Sequence, residues 1–396
     1  MAKNLHLEHL EDEILNKGTQ GAMESINMLE DLGNFLSEDA SSNVKITTKF
    51  DGAPAIICGT DPSDNRFFVG TKSVFAKTEP KVMKTREQIS QTYSGELANK
   101  LMDALTYLPS CGINGVLQGD LMFTSDKKTQ SINGKSHITF TPNTLTYAVE
   151  TRSDLGRKIA NAQLGIVFHT KYSGATLSEM SASFNISDND FKSSNSVWAQ
   201  KAEFQNIGGA SNFTPREKED FRKTINMARG SLQQSRTIMN DIQTGKKSLG
   251  IDTELRKFFN ANVKSGGMPS VDNAYNNFFY HLGKEYAKPI DKMKTLDGQA
   301  RKAGQYIDAI DYLMNHKKDV KMMIATYYNL NKAKMMVVKK LNQISSLGQF
   351  VRQGNGDYKS TSPEGFVAIG AKGAVKLVDR LEFSRLNFTI PKTFGR

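Results

Sequence analysis

Hydrophobic residues in the first 36 positions recur at the three- and four-residue spacing of an amphipathic helix. The apolar positions that follow this spacing are Leu5, Leu7, Leu10, Ile14, Met23, Ile26, Met28, Leu29 and Leu32. Gly18 and Gly21 interrupt the run, so the pattern predicts two helices rather than one. The polar stretch at 37–43 is typical of a loop.

The pattern changes to short β-type runs between Val44 and Phe75. Hydrophobic and β-branched residues alternate there with Gly, Asp, Pro and Asn, the residues that form turns. This alternation predicts a meander of strands. Helical spacing returns from Glu87 to Leu108. Beyond it the sequence predicts a short helix at 153–161 and strands at 116–123, 138–140, 145–149 and 165–169.

The second half of the chain changes character again. A Ser-, Asn- and Asp-rich stretch at 181–196 is typical of a connector, and helical periodicity covers almost all of 214–347. Thr214-Pro215-Arg216-Glu217 predicts a helix start, because it combines a capping residue, a first-turn proline and an early acidic side chain. Strand character returns only at 365–369 and 374–378.

This order of segments predicts an α+β fold built from antiparallel sheets. A β-rich domain begins with residues 1–184, a helical insertion occupies 185–350, and 351–396 return to the domain as its closing strands. Hydrophobic residues make up 38% and charged residues 23% of the chain, which is ordinary for a globular protein and disfavours disorder.

Composition adds expectations about location and partners. No apolar run approaches the roughly 20 residues that span a bilayer, and the first residues do not form a secretory signal, so we predict a cytoplasmic protein without a membrane segment. Cys58 and Cys111 stand alone in apolar surroundings, which predicts buried, reduced thiols. The net charge of +11 favours a polyanionic partner, because Lys and Arg that bind phosphates release counterions.

Lys49-Phe50-Asp51-Gly52 lies directly between two predicted strands, at 44–48 and 55–58. Its plainest interpretation is a hairpin turn, for which Asp-Gly is a typical dipeptide. A second interpretation is chemical. A lysine that is held rigidly, partly removed from water and placed near other positive charge has a neutral amine often enough to attack phosphorus.

This tetrapeptide resembles motif I of the covalent lysine nucleotidyltransferases, the superfamily of ATP- and NAD-dependent DNA ligases, RNA ligases and mRNA capping enzymes. The resemblance implies a ligase-type nucleotidyltransferase domain with a large helical insertion. It also implies that Lys49 forms a phosphoramidate with a nucleoside monophosphate and that Asp51 belongs to the catalytic set. Thr48 and Gly52, on either side of these residues, are implied to bind the nucleotide.

Further segments resemble later motifs of the superfamily in the same order. Phe68-Val69-Gly70-Thr71-Lys72-Ser73 resembles the strand after motif I, with Lys72 at its basic position. Val116-Leu117-Gln118-Gly119-Asp120-Leu121 resembles motif III, with Asp120 in place of the commoner Glu. Gly165-Ile166-Val167-Phe168 resembles the strand whose aromatic residue stacks on the purine, and His169 follows where Asp is common.

Two segments near the end extend the resemblance. Pro363-Glu364-Gly365-Phe366-Val367-Ala368 is similar to motif IV, whose carboxylate helps hold the metal. Val375-Lys376-Leu377 is similar to motif V, whose lysine grips the α-phosphate, although Val378 stands where a second lysine is usual. Because residue 396 is 20 positions after Lys376, the resemblance predicts no C-terminal OB-fold and favours the RNA-ligase branch.

The resemblance assigns a role to each of these side chains. Lys72 and Lys376 neutralise the triphosphate. Asp120 and Glu364 hold Mg²⁺ and orient the ribose, while Phe168 offers a ring face to the base. The residues themselves leave simpler interpretations open. Asp120 and Glu364 also suit ordinary turns, and Phe168 also suits the hydrophobic core.

A narrower resemblance covers most of the amino-terminal half. The segments 6–12, 49–55, 117–120, 140–143 and 168–170 are similar to a family of proteins encoded by large tailed bacteriophages. Together the two resemblances imply an ATP- and Mg²⁺-dependent polynucleotide ligase, with RNA favoured over DNA, in the bacterial host cytoplasm. Three alternatives stay open: a DNA ligase, a nucleotidyltransferase that modifies an RNA end or a protein without sealing, and a non-catalytic phage protein that keeps the fold.

Overall fold

The computed structural model describes residues 7–37, 44–132, 134–203, 212–245, 247–290, 292–343, 348–352, 358–360, 365–370 and 373–384. In these ranges the chain combines helices with mainly antiparallel sheets, which confirms the predicted α+β class. The chain divides into two units. The first contains Ile46–Gln205 and Ser345–Gly365, and the second contains Leu7–Lys45, Asn206–Ile344 and Phe366–Arg396. None of the helices in the described ranges has both the length and the hydropathy to cross a membrane.

The elements follow one another in this order. The strands are β1 (Lys45–Lys49), β2 (Ala55–Thr60), β3 (Phe67–Gly70), β4 (Val116–Phe123), β5 (Lys128–Ile132), β6 (Lys135–Phe140), β7 (Thr146–Glu150), β8 (Leu164–Ser173), β9 (Ser181–Ser183), β10 (Val197–Lys201), β11 (Gly348–Arg352), β12 (Tyr358–Ser360), β13 (Gly365–Gly370) and β14 (Gly373–Leu377). The helices are α1 (Glu13–Phe35), α2 (Arg86–Thr92), α3 (Gly95–Tyr107), α4 (Asp154–Asn161), α5 (Pro215–Asn240), α6 (Ile251–Ser265), α7 (Val271–Ile290), α8 (Leu296–Asn315) and α9 (Lys317–Leu341). Short 3-10 helices precede α1 at Leu10–Asp12 and follow β3 at Lys72–Phe75.

The larger sheet of the first unit has the strand order β10-β8-β4-β2-β3, with β9 paired to β8. Its pairs are antiparallel except that of β10 with β8, which is parallel. Helices α2 and α3 cover one face of this sheet. The cluster on that face includes Ile56, Cys58, Ile89, Leu101, Leu108, Leu117 and Ile166. Successive strand residues point to opposite faces, so Ile57, Gln118 and Asp120 point away from these helices.

Both cysteines lie in this hydrophobic cluster. Cys58 and Cys111 are buried free thiols, as the sequence predicts. Burial raises the pKa of each thiol, that of Cys111 to about 11. Thiols in such surroundings stay protonated and serve as small core residues.

The second sheet of the first unit runs in the order β12-β11-β7-β6-β5 and its pairs are antiparallel. Aromatic rings join it to the larger sheet, because the ring centroid of Phe123 in β4 lies 4.9 Å from that of Phe140 in β6. Phe140 in turn stacks on Tyr147 of β7, with ring centroids 5.6 Å apart. These rings fix where the turn between β6 and β7 lies against the larger sheet.

The helical part begins later in the chain than the sequence predicts. The insertion is predicted to start at residue 185, but β10 still belongs to the larger sheet and α5 begins at Pro215. The serines that suggested a connector support this strand instead. The Ser193 hydroxyl bonds both main-chain groups of Ala199, and the Ser194 hydroxyl accepts from the Val197 N–H. The polar stretch therefore directly precedes β10, and its hydroxyl groups satisfy the free edge of that strand.

In the second unit, α1 packs against α5, and α5 packs against α9. Helix α1 is broken at Gly18, whose φ of 56° and ψ of −133° suit glycine, so the predicted division at this residue is confirmed. Just after the break, the Thr19 N–H donates to Asn240, and the Thr19 hydroxyl donates to the Arg236 carbonyl. These contacts explain why residues 7–45 belong with the helices, whereas the sequence assigns them to the sheet domain. The β13–β14 hairpin also contributes to this unit.

Helix α5 begins with the capping box that its sequence predicts. The Thr214 hydroxyl accepts from the Glu217 N–H at 3.3 Å, and the Glu217 carboxylate accepts from the Thr214 N–H at 2.8 Å. Lys340 of α9 lies 2.8 Å from the same carboxylate. The cap therefore fixes the start of α5 and one of its contacts with α9.

Replacing Thr214 by alanine removes the side-chain acceptor at this helix end. We expect the free energy of unfolding to fall by about 1 kcal/mol, the usual cost of losing such a cap. Thr214→Ser keeps the hydroxyl and should remain within about 0.5 kcal/mol of wild type. Urea unfolding followed by circular dichroism measures both variants, and equal losses in the two would contradict a capping role.

Candidate functional site

Lys49 is the last residue of β1, and main-chain hydrogen bonds hold this strand in place. The Thr48 N–H donates to the Ala202 carbonyl at 2.6 Å, and the Ala202 N–H donates to the Phe168 carbonyl at 2.9 Å. The half-buried Lys49 therefore extends from a strand that is tied to β8 and to the end of β10. Thr48 contributes its main chain to this arrangement.

Asp51 is buried and anchors the loop after Lys49. One carboxylate oxygen accepts from the Asn143 amide at 2.7 Å, and the other accepts from the main-chain N–H groups of Thr144 and Leu145 at 2.7 and 2.8 Å. The Asp51 N–H donates to the Tyr147 hydroxyl at 2.6 Å. Because both carboxylate oxygens bind the turn before β7, Asp51 is a positioning residue here, which differs from the catalytic role that the resemblance implies.

Gly52 brings this loop against β4, the strand that resembles motif III. A Cβ atom at Gly52 would lie 2.6 Å from the Cβ of Asp120, a separation too short for any side chain. Main-chain bonds seal the same contact: Ala53 N–H donates to Leu121 C=O at 3.0 Å, and Leu121 N–H donates to Pro54 C=O at 3.1 Å. The two motif-like segments therefore touch, although about 70 residues separate them.

Asp120 lies in a row of residues across the face of the larger sheet that α2 and α3 leave uncovered. It pairs with Ala55 of β2 and with Val167 of β8. A register shift in the β4–β8 pair leaves His169 unpaired, and its Nε2 lies 3.7 Å from an Asp120 carboxylate oxygen. The bulge thus aims His169 towards Asp120, and the Thr170 hydroxyl bonds the other ring nitrogen at 2.8 Å.

Lys72 lies at the same end of this sheet. Strand β3 ends at Gly70, which pairs with Ile57 of β2, and Lys72 begins a short 3-10 helix two residues later. Its side chain is exposed. The structure therefore brings Lys72 and Asp120 to the end of the sheet where the loop after Lys49 lies.

Phe168 occupies a different position from the one implied by the resemblance. Its side chain is fully buried on the face covered by α2 and α3, and its ring centroid lies 4.7 Å from that of Phe191. Because the ring has no exposed surface and lies within this hydrophobic cluster, a base cannot reach it. The simpler interpretation of Phe168 as a core aromatic therefore fits its surroundings, and a base-stacking role does not.

The two remaining motif-like residues belong to the end of the chain. Lys376 lies on β14 in the second unit, where it pairs with Val367 of β13 and its N–H donates to the Glu8 carbonyl at 2.8 Å. Its side chain is half-buried. Glu364, assigned to the metal by the resemblance, lies outside the described residues.

Another lysine near the end of β10 has its charge satisfied by carboxylates. Hydrogen bonds from Lys201 to Asp188 at 2.8 Å and to Glu203 at 3.0 Å raise the pKa of the Lys201 ammonium. Within the part of the chain that the structure describes, no three or more His, Cys, Asp and Glu residues are arranged to hold a metal ion. Of the two carboxylates that the resemblance assigns to a metal, Asp120 and Glu364, only Asp120 lies among the described residues.

Sequence reasoning missed the residues that hold the loop. Asn143 and Tyr147 bind Asp51 from positions more than 90 residues away. Asn143 lies in the segment 140–143 that the narrower resemblance includes, but no local pattern indicates that either side chain binds Asp51. His169 stands where the superfamily pattern commonly has Asp. Its contact with Asp120 depends on a register shift that periodicity does not reveal.

Comparisons with known proteins identify the family to which this chain belongs. A search of curated proteins and a search of solved structures each give no match. A family model described as "Family of unknown function (DUF6267)" matches residues 4–392. Because this match covers nearly the whole chain, the protein belongs to the DUF6267 family.

Proposed function

We propose that this protein is an ATP-dependent polynucleotide ligase that works through a lysyl-AMP intermediate on Lys49. The observation that carries the proposal is the close packing of Gly52 on Asp120. It joins the segment that resembles motif I to the one that resembles motif III, at the end of the sheet where Lys72 lies. An ordinary hairpin turn after β1 does not require this contact.

In the proposed first step, the neutral amine of Lys49 attacks the α-phosphorus of ATP. A nitrogen–phosphorus bond forms, the bond to the β-phosphate oxygen breaks, and pyrophosphate leaves with the electron pair. The lysine must first lose a proton to water, because only the neutral amine has a lone pair that can attack phosphorus. Lys72 would neutralise phosphate charge, and Lys376 has the same role by resemblance.

Mg²⁺ suits the donor set of this site in part. The ion is often held by one or two carboxylates together with substrate phosphates and water, so a full set of protein ligands is unnecessary. Asp120 fits such a ligand because its side chain is 23% exposed and the Nε2 atom of its neighbour His169 is 3.7 Å away. When bound, the metal would neutralise the triphosphate and the charge that develops during transfer.

In the later steps, the AMP would pass to a 5′-phosphate, and a 3′-hydroxyl would displace it to seal the strand. A polynucleotide substrate is supported by the distribution of charge. Residues 212–343 contain 24 Lys and Arg against 13 Asp and Glu, a net charge of +11 that equals the charge of the whole chain. The rest of the sequence is therefore neutral overall, and the attraction for a polyanion is concentrated in the helical segment.

One face of α9 presents this charge in a regular row. Lys318, Lys332 and Lys339 are exposed, and intervals of 14 and 7 residues place them on the same side of the helix. At about 1.5 Å per residue the row is roughly 30 Å long, enough for several nucleotides. We propose that this row, the α9 lysine row, binds the polynucleotide backbone.

The first prediction of the proposed function tests the covalent intermediate. Incubation with ATP and Mg²⁺ should add the mass of one AMP to the wild-type protein and none to Lys49→Ala, because the substitution removes the attacking amine. Lys45→Ala, at the other end of β1, is the matched control and should be labelled. Intact-mass spectrometry measures all three proteins.

The labelled protein then distinguishes the alternatives. A ligase must join a 5′-phosphate to a 3′-hydroxyl in nicked RNA or nicked DNA, whereas an enzyme that only transfers nucleotide labels itself without joining strands. Absence of labelling by ATP, GTP and NAD would refute the proposal and favour a non-catalytic role.

The second prediction tests the contact between the two motif-like segments. Gly52→Ala forces a Cβ atom against Asp120, so the loop must shift, and we expect self-labelling to fall at least about tenfold. Gly230→Ala in α5 adds a Cβ atom with no heavy atom within 4 Å and should label at the wild-type rate. Equal labelling by the two variants would show that the packing of Gly52 on Asp120 is not needed.

The third prediction concerns the α9 lysine row. Replacing its three lysines by glutamine should reduce the salt dependence of single-stranded RNA binding, the slope of log K against log [salt], by about 2, since each contact with a single strand contributes roughly 0.7. Glutamines at Lys128, Lys135 and Lys158, exposed in the first unit, remove the same charge as a control. Equal slopes in the two triple variants would refute this binding surface, and fluorescence anisotropy measures them.

A further inference from the structure

Four charged side chains are buried together in the second unit: Glu11, Asp12, Lys334 and Arg380. Lys334 Nζ lies 2.8 Å from Glu11 Oε1, and neither side chain has any exposed surface. Arg380 Nη1 lies 3.0 Å from Asp12 Oδ1 and 3.6 Å from Glu11 Oε1. Burial raises the pKa of the Asp12 carboxyl even beside Arg380. Two cations thus lie against two carboxyl groups, and we call this group the buried ion cluster.

Two chain segments meet at Lys376, and each of them leads to residues of the buried ion cluster. The Lys376 N–H donates to the Glu8 carbonyl at 2.8 Å, and His9 forms a parallel bridge with Lys376. From this bridge, one segment runs through the 3-10 helix Leu10–Asp12 to the two carboxylates of the cluster. The other segment runs four residues along the chain to Arg380. Both segments beside Lys376 are therefore anchored at the same buried point.

Helices α6 and α9 form the fixed walls of the cluster. The fully buried Tyr327 of α9 stacks on Phe259 of α6 with ring centroids 4.0 Å apart, and its hydroxyl donates to Asp12 at 2.9 Å. Arg380 donates to that hydroxyl at 2.8 Å and also donates to Asn260. Because closely packed helices deform little, they restrict where Asp12 and Arg380 can lie.

The energetics of burial make this arrangement selective. A buried ion pair gains little net stability, because desolvation offsets the attraction, but a buried charge without its partner is strongly disfavoured. Burial opposes ionisation of Glu11, yet the attraction of Lys334 prevails and lowers the pKa of the Glu11 carboxyl to about 2. A slip of β14 by one residue would move Arg380 by about 3.3 Å and leave Asp12 without its cation. The cluster therefore selects one register of β14 against residues 8–9.

We infer that Glu11, Lys334 and Arg380 are positioning residues that hold Lys376 in the place required for nucleotidyl transfer. The inference rests on the proposed function, in which the resemblance assigns Lys376 to the phosphates of the nucleotide. These residues act through the main chain, because they fix the two segments that carry the hydrogen bond between Lys376 and Glu8. Their role is to fix geometry, and they neither transfer a proton nor bind phosphate themselves.

The test compares Arg380→Met and Arg380→Lys with the wild-type protein. We expect Arg380→Met to speed amide hydrogen exchange at residues 374–377 by about tenfold, since this strand loses its anchor. The second-order rate constant for self-labelling by ATP should fall by about tenfold, and Arg380→Lys, which keeps the charge, should recover part of both losses. Arg229→Met removes a cation from an exposed pair with Glu30 and should match wild type in both measurements.

A second variant covers the case in which Arg380→Met fails to fold. Glu11→Leu combined with Lys334→Met replaces the buried ion pair by apolar side chains of similar size, an exchange that proteins often tolerate. We expect this double variant to fold and to show faster exchange at 374–377. A folded variant would overturn the inference if its hydrogen exchange at 374–377 and its rate constant for self-labelling both equalled those of the wild-type protein. If ATP does not label even the wild-type protein, the proposed function fails, and the exchange rates alone decide whether the cluster anchors β14.

Discussion

The carboxylate of Asp51 accepts three hydrogen bonds from the turn at residues 143–145, and the position of Lys49 depends on this interaction. A buried carboxylate is costly unless its oxygens are satisfied, and hydrogen bonds to an ionised group are stronger than those between neutral groups. The turn belongs to the second sheet of the first unit, whereas Lys49 leads into the larger sheet. One side chain thus couples the loop after Lys49 to both sheets, while Gly52 allows that loop to approach Asp120.

The second unit uses charge in two opposite ways. Along α9, the exposed lysine row carries charge that solvent screens, which suits a reversible and salt-sensitive contact with a polyanion. On another face of the same helix, Lys334 is buried against Glu11 and makes a contact with one allowed geometry. Residue type does not separate these two uses. Burial separates them, because the free-energy penalty for an unpaired charge rises steeply once water is removed.

The candidate site combines residues that local patterns reveal with others that they conceal. Lys49 at the end of a β-type run and Gly52 in a tight turn are both visible in the sequence. The structure places Lys49 at the end of β1 and Gly52 in the loop that follows. Phe168 shows the limit of such reasoning, since a strand aromatic can point to either face and a register shift beside it alters the local alternation. Asp51 shows a second limit, because nothing near it in the sequence indicates that its oxygens bind a turn more than 90 residues away.

The sequence by itself determined the α+β class, the break at Gly18, the capping box of α5, the strand at 116–123 and the lysine at the end of β1. Each of these depends on periodicity or on neighbours within a few residues, which a linear pattern records. Only the tertiary structure decided that β10 belongs to the larger sheet, that Phe168 lies in the core, and that Glu11 pairs with Lys334 across 323 residues. Such choices follow from which faces pack and which buried charges find partners, and these are properties of the folded chain as a whole.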